Sequence, residues 1–204
     1  YTGDAAVTLE KGKTIENWSV EDRGSGTFEL KDGAMYITNG TGNAHIQLDV
    51  PGSAYWQNYT VEADVTFLSG SSWMGIAYNS TGFETGHQKA GLYGTNGYYI
   101  NGRWNGWVND GGANNATGNA NSHPSTPHRL KIVTSGNNGV DTGTTSLYAA
   151  YYDEDGNLGQ WNLIHTVTNI SANTWRGSIG IACSTYGLSN AVVDNIKVYR
   201  QVDV

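Results

Sequence analysis

Residues 97–110, which read GYYINGRWNGWVND, combine aromatic rings with glycines, amides and a guanidinium group. Buried Trp and Tyr side chains need apolar neighbours and a partner for each polar tip, and this segment supplies few apolar neighbours. A flat ring can cover the C–H face of a pyranose while amides and guanidinium groups bind its hydroxyls. The segment therefore indicates sugar recognition, although aromatic cross-strand packing beside an ordinary turn would give the same pattern. The residues that would serve a sugar are Tyr99, Asn101, Arg103, Trp104 and Trp107.

Two carboxylates suggest a second kind of chemistry. In the run YTVEADVTF, residues 59–67, apolar side chains alternate with Glu62 and Asp64. Strand geometry separates the Cα atoms of these two residues by roughly 6.6–6.8 Å on one face. Glycosidases hold their acid and nucleophile at comparable separations, so hydrolysis is one hypothesis. Two solvated or salt-bridged carboxylates on a sheet face are the structural alternative.

Composition narrows the functional classes. The chain has 204 residues, which predicts a single domain spanning residues 1–204. Only 14% of the residues are charged, and the net charge is −7. A nucleic-acid partner or an anionic membrane surface would require a basic patch, and none is visible. No apolar run approaches the roughly 20 residues of a membrane span.

The chain is expected to be an excised or mature module of a larger extracellular protein, secreted or attached to the cell surface. Tyr1 opens directly into polar sequence, without the apolar stretch of a signal peptide. Cys183 is the only cysteine, so no disulfide can form within the chain. It lies in an apolar run and is interpreted as a small buried hydrophobe.

Apolar residues recur with a period of two, which predicts an all-β fold, a two-sheet antiparallel β-sandwich. Residues 109–127 show no periodicity, so we expect a long loop there. KDG at 31–33 and DEDGN at 153–157 are predicted hairpin tips, and the second lacks the Gly and Glu positions of a calcium loop. The predicted strands cover residues 27–39, 44–50, 59–67, 73–79, 98–104, 128–135, 146–153, 165–170, 178–184 and 191–200.

The order of these runs resembles the concanavalin A-like, or laminin G-like, jelly rolls. The resemblance spans roughly residues 14–199 and is closest to the branch that holds bacterial carbohydrate-binding modules and 3-keto-disaccharide hydrolase/glucanase-like domains. It is carried by ENWSVEDRGSGTFELKDGAMYITN, by YTVEADVTF followed by SSWMGIAYN, by HRLKIVTSG leading into SLYAAYYDEDGNL, and by RGSIGIACSTYGLSNAVVDNIKVY. This architecture hosts lectins, binding modules and hydrolases alike.

The resemblance implies two curved sheets, with a saccharide bound on the concave sheet or at its rim. If Ile100 faces the core, the residues that would contact sugar are Trp73, Asn79, Tyr99, Asn101 and Arg103 on the strands, Trp104 and Trp107 at the rim, and His87 in a loop. Glu62 and Asp64 are placed on the same face. A register slip of one residue would invert these assignments.

The resemblance also allows a glycoside hydrolase. Laminarinase- and lichenase-like enzymes of this fold carry Glu-x-Asp-x-x-Glu on one strand. Here Phe67 stands where the last Glu, the general acid, would be. Without that residue the leaving oxygen has no obvious proton donor.

A structural calcium ion is a further expectation from the resemblance, because related sandwiches often hold one near the chain ends. Asp194 shares strand parity with Val192 and Ile196 and is expected to face inward, where a carboxylate needs hydrogen bonds or a metal. Asp4 or Glu10 would be the co-ligand, and hydrogen bonds to turn amides are the alternative.

These observations favour a non-catalytic carbohydrate-binding module. Its partners would be an oligo- or polysaccharide and the other domains of the parent protein. A hydrolase using Glu62 and Asp64 and a structural or adhesive spacer are the two alternatives.

Overall fold

The computed structural model describes residues 7–9, 14–22, 27–39, 44–69, 73–80, 97–101, 105–110, 113–119, 128–136, 142–171, 177–183 and 189–200. Within them the chain forms two antiparallel sheets of eight strands each. A single turn of 3₁₀ helix at Ser53–Tyr55 is the one helical element of the described residues. The prediction of an all-β, two-sheet antiparallel sandwich is confirmed.

The first sheet runs from edge to edge as β1 (Val7–Leu9), β4 (Thr27–Lys31), β5 (Ala34–Asn39), β16 (Ser189–Arg200), β7 (Tyr59–Ser69), β12 (His128–Gly136), β13 (Thr142–Tyr151) and β14 (Asn162–Ser171). The second sheet runs as β11 (Ala113–Asn119), β10 (Asn105–Asp110), β9 (Gly97–Asn101), β8 (Trp73–Ser80), β15 (Ser178–Cys183), β6 (Ala44–Leu48), β3 (Trp18–Asp22) and β2 (Thr14–Ile15).

The hydrophobic core lies between the two sheets and is built from the alternating apolar residues of both. Val61, Ala63 and Val65 of β7 are fully buried, and their register partners on β12 are buried with them, as is Val193 of β16. Ile76 and Ile181 line the facing side of the second sheet. Because one face of each central strand is committed to this core, the register fixes which residues face outward.

Both predicted hairpin tips are confirmed. Asp32 and Gly33 connect β4 to β5 with φ values of 52° and 79°. Positive φ at both central residues is the type I′ geometry, whose twist matches that of the flanking strands. At the second tip the Asp153 carboxylate accepts backbone hydrogen bonds from Asp155 at 3.0 Å and Asn157 at 2.7 Å. These side-chain-to-backbone bonds close a turn.

The prediction of a loop over residues 109–127 is wrong for its first part. Residues 113–119 form β11, which pairs with β10 in a register of Val108 with Asn115. The segment ANNATGN has no apolar alternation because its residues are nearly all small or polar. Backbone pairing with β10 defines this strand, and a search for hydrophobic periodicity cannot find it. Residues 120–127 lie outside the described part of the chain.

A β-bulge in β16 reverses the strand parity that the sequence suggested for Asp194. Val193 pairs with the buried Val65, Asp194 pairs with Asp64, and the register then shifts before Lys197 pairs with Glu62. The extra residue opposes Ala63, and Asn195 takes up the bend with φ 49°. Asp194 therefore lies on the outward face beside Asp64, and the inward position predicted for it is wrong.

Asn195 is expected to stabilise this bulge in two ways, by tolerating the left-handed conformation and by bonding to Asp64 at 2.7 Å. Replacing Asn195 with Ala removes both contributions and should lower the free energy of unfolding by about 2 kcal/mol. Asn195→Gly removes only the hydrogen bond and should lower it by about 1 kcal/mol. Urea denaturation of the two variants measures the difference, and equal losses would show that the backbone conformation carries no cost for Ala.

Candidate functional site

The topology separates the predicted site residues into two groups. Glu62 and Asp64 lie on β7 of the first sheet, whereas Trp73 and Asn79 lie on β8 of the second sheet. In a sandwich the outward faces of the two sheets point in opposite directions. The expectation that Glu62 and Asp64 share a face with Trp73 and Asn79 is therefore wrong, because strand parity does not tell which sheet a strand joins.

Asp64 is the centre of a hydrogen-bonded network on the outward face of the first sheet. Its Oδ1 accepts from the Arg129 guanidinium at 2.9 Å and from the Tyr152 hydroxyl at 2.7 Å. Its Oδ2 accepts from the Asn195 side-chain amide at 2.7 Å. Asp64 and Arg129 are only 9% and 6% exposed. Burying this charge is tolerated because three donors satisfy it.

Arg129 also binds Glu62, through Nε to Oε2 at 3.0 Å. Burial on its own lowers the pKa of the Arg129 guanidinium, but the hydrogen bonds to Asp64 and Glu62 and the charge of Asp64 outweigh it and raise that pKa above its ordinary value. One cation therefore pairs with both carboxylates. This arrangement is the salt-bridged alternative to a catalytic pair.

Tyr152 completes the network from the strand end next to the 153–157 hairpin. Burial raises the pKa of its hydroxyl first, and the hydrogen bond to Asp64 and the charge of Asp64 raise it further, while Arg129 lowers it. A neighbouring carboxylate favours the protonated phenol because that form donates a hydrogen bond to it. Tyr152 is thus held as a donor.

An open cleft of about 460 Å³ lies beside this network, between the bulge of β16 and the hairpin at 153–157. Four of its nine lining residues carry a carboxylate. The pKa of one of them, Asp153, is lowered by hydrogen bonds, first from the Asn157 backbone N–H and then from the Asn157 side-chain amide. The residues that line it are Asp64, Thr66, Tyr152, Asp153, Glu154, Gly156, Val192, Asp194 and Asn195.

The described residues do not assemble a calcium site at Asp194. One oxygen of Asp194 accepts the Asn195 backbone N–H at 2.6 Å, and the adjacent Asp64 already has three donors. In the part of the chain that the structure describes, no cluster of three or more His, Cys, Asp or Glu side chains is arranged to hold a metal. Asp4 and Glu10 lie outside the described residues, so calcium bound by Asp194 with either of them stays a prediction.

A second polar feature of the first sheet is the Lys131 ammonium. It lies 4.0 Å from the centre of the Trp161 ring and 4.9 Å from that of Tyr148. Cation–π contacts of this length are attractive, and they occupy the ring faces with the protein's own cation. These two rings are therefore poor stacking platforms for a sugar.

The backbone of the second sheet brings together several predicted sugar-binding residues. Tyr99 on β9 pairs with Gly75 on β8 and with Trp107 on β10. Two residues further along, Asn101 at the end of β9 pairs with Trp73 at the start of β8. Asn79 lies where the register between β8 and β15 shifts. The shift separates Asn79 from the regular alternation of Trp73 and Gly75.

His87, Arg103 and Trp104 lie outside the described residues. For Trp73, Asn79, Tyr99, Asn101 and Trp107 the backbone alone is described. Their roles in sugar binding stay predictions.

Sequence reasoning missed Arg129, Tyr152 and Asn195, which hold the carboxylates. Arg129 stands at an alternate polar position of HRLKIVTS, which marks it as outward-facing. Nothing in the sequence tells that β12 and β16 flank β7, which makes Arg129 and Asn195 partners of Asp64. Nor does it tell that β13 lies beyond β12, which brings Tyr152, just after its end, to the same carboxylate.

No family model matches the sequence, and no curated protein matches it either. Three solved structures share the fold. A sialidase has a TM-score of 0.57 and 8% identity, covering 91% of this chain and 17% of its own. A functionally unknown protein from Saccharomyces cerevisiae has a TM-score of 0.52 and 8% identity, covering 94% of this chain and 100% of its own. A Bacillus subtilis protein of unknown function with a galectin-like fold has a TM-score of 0.50 and 14% identity, covering 93% and 92%.

These likenesses establish the architecture. The chain has a galectin-like β-sandwich fold, in agreement with the concanavalin A-like architecture that the resemblance implied. It corresponds to only 17% of the length of the sialidase. Assignment to the branch of binding modules and keto-disaccharide hydrolases stays a prediction. No helix among the described residues is long and apolar enough to cross a membrane.

Arg129 should be the most costly of the charged residues on this face to replace. Arg129→Met leaves two partly buried carboxylates without their cation and is expected to lower the free energy of unfolding by about 3–5 kcal/mol. Lys197→Met is the matched control, because Lys197 is exposed and pairs in register with the same Glu62. Its loss should stay within about 1 kcal/mol. Chemical denaturation of both variants is the measurement, and similar small losses would show that the network contributes little.

Tyr152 should make stability depend on alkaline pH. Its pKa is raised in the folded state, so its contribution is fully present below the ordinary phenol pKa of about 10 and is lost as pH rises through the raised value. Tyr152→Phe should cost about 1 kcal/mol at pH 8 through the lost hydrogen bond. The difference between parent and variant should shrink above pH 10. A difference that stays constant up to pH 11 in urea titrations would contradict this assignment.

Proposed function

We propose that this concanavalin A-like β-sandwich is a non-catalytic carbohydrate-binding module that receives a glycan on the outward face of β8, β9 and β10. The observation that supports it most directly is the row of register partners Gly75, Tyr99 and Trp107 across three adjacent strands. Glycine has no Cβ, so we expect an open position at Gly75 beside the two aromatic residues Tyr99 and Trp107. A pyranose can stack one face on an aromatic ring and occupy the open sheet surface beside it.

Alternation along the strands supports the same face. Ile76 of β8 is buried in the core with 3% exposure, and its register partner on β9 is Tyr98. Gly75 and Tyr99 occupy the intervening positions, on the opposite side of the sheet from Ile76. We expect Trp73 and Asn101, one row further, to contribute a second ring and an amide.

A catalytic role for Glu62 and Asp64 is disfavoured by their surroundings. Both carboxylates are bound to Arg129, and Asp64 accepts two further hydrogen bonds. A nucleophile needs a free oxygen directed at substrate, and a general acid needs a proton to give. We therefore leave both residues out of the proposed sugar site.

The expected affinity is modest. Two stacked rings contribute about 0.5–1.5 kcal/mol each beyond area burial, and each net hydrogen bond about 1 kcal/mol. After the cost of association, dissociation constants between about 1 μM and 1 mM follow. Affinity of this order is useful when a module acts beside other domains on a polymer, in the extracellular setting expected from the sequence.

The test is a titration with a panel of soluble glycans, comparing the parent with Trp107→Ala and Tyr99→Ala. Each substitution removes a stacking ring and should weaken binding about 10-fold or more, equivalent to about 1.4 kcal/mol. Calorimetry or affinity electrophoresis measures the change. Denaturation curves establish that the variants fold.

The matched control is Tyr199→Ala. Tyr199 is 52% exposed and lies on β16 of the first sheet, so its removal should leave glycan affinity unchanged. Equal weakening by all three substitutions would overturn the proposed site. Release of reducing ends from any bound glycan would overturn the non-catalytic assignment.

A further inference from the structure

Charged residues are distributed unequally between the outward faces of the two sheets. On the first sheet the outward register positions of β7, β12 and β16 hold both signs of charge, in one connected patch. The members of that patch are Glu62, Asp64, Arg129, Lys131, Asp194 and Lys197.

The second sheet differs at the equivalent positions. Counting alternate residues from the buried Ile76, the outward positions of β8, β9 and β10 include Trp73, Tyr99, Asn101, Trp107 and Asn109. The other alternate residues on these strands are glycine, alanine or asparagine. None of the described outward positions of these three strands is Asp, Glu, Lys or Arg, and Arg103, in the connection between β9 and β10, lies outside the described residues.

Outward positions without Asp, Glu, Lys or Arg continue into the neighbouring strands β15 and β6. Ile181 and Ile46 are buried register partners, which assigns Gly180 and Ala182 of β15, and His45 and Gln47 of β6, to the outward positions. Carboxylates return at Asp22 of β3, which pairs with His45, and at Asp49, which follows β6 and accepts a hydrogen bond from the Ser19 hydroxyl at 3.4 Å. Gln47 is itself only 5% exposed, which limits the surface offered to a ligand to the side of β8, β9 and β10.

We propose that the ligand of this face is a neutral glycan, one without uronate, sulfate or phosphate groups. This inference rests on the function proposed above and adds the chemical class of the ligand. Amide groups donate to and accept from hydroxyls, and rings cover C–H faces, so a neutral sugar can satisfy every partner that the outward positions supply.

An acidic glycan would fit this face poorly. Its carboxylate or sulfate would lose hydration on binding and would meet no cation at the described outward positions. The net charge of −7 would also repel it at long range. The cations of the first sheet cannot compensate, because Arg129 and Lys131 lie on the opposite side of the sandwich.

The experiment compares two sets of soluble polysaccharides in affinity electrophoresis and calorimetry. The neutral set contains mixed-linkage β-glucan, xyloglucan, galactomannan and arabinan, and the acidic set contains alginate, polygalacturonate and chondroitin sulfate. Binding is measured at pH 8, where an ordinary imidazole is neutral, with the parent protein and with Trp107→Ala.

We expect at least one neutral glycan to bind, with less than about two-fold change in affinity between about 0.05 and 0.5 M NaCl, since no ion pair is screened. Trp107→Ala should weaken that same binding. Binding confined to acidic glycans, or falling about ten-fold or more over that salt range, would overturn the neutral class and leave the carbohydrate-binding function standing. Binding that Trp107→Ala leaves unchanged would overturn the face. Absence of binding to both sets would overturn the proposed function itself.

Discussion

Every strand that contacts the shared core gives alternate residues to it, and the rest of the structure depends on this constraint. Val61, Ala63 and Val65 of β7 are buried between the sheets, so the alternate residues Glu62 and Asp64 must face outward. Two outward surfaces result, one on each sheet. The residues of one surface do not contact those of the other, because the hydrophobic core lies between the two sheets. One surface holds a charged network, whereas the described outward positions of β8, β9 and β10 on the other carry aromatic residues and no charged ones.

The charged surface is organised around a buried anion. Asp64 is tolerated at 9% exposure because Arg129, Tyr152 and Asn195 donate to it from three different strands or strand ends. The bulge that brings Asn195 to Asp64 also turns Asp194 outward. A pair of carboxylates at glycosidase-like spacing is thereby used for structure, and the aromatic strands of the second sheet are left as the better candidates for binding.

Most of the architecture could be predicted from the sequence, because period-two alternation reports directly on burial. The runs at 59–67 and 128–135 are strands as predicted, and the KDG tip forms the turn that its residues favour. The residues at 113–119 escaped prediction, since Ala, Asn, Thr and Gly carry no hydrophobic signal. For the candidate site the sequence predicts only the types of residue involved, because the aromatic segment at residues 97–110 does not reveal which strands pair with it.

The sequence by itself determined the fold class, the low charge and the sugar-compatible chemistry of residues 97–110, because composition and alternation are local properties of the chain. Only the tertiary structure decided which residues are neighbours. Glu62 meets Arg129 across 67 positions of the chain, and Tyr99 meets Gly75 by strand pairing. The Asp194 bulge shows the same limit within one strand, since a single extra residue reverses the faces that alternation assigns. Sheet order and register depend on packing of the whole core, which no local pattern encodes.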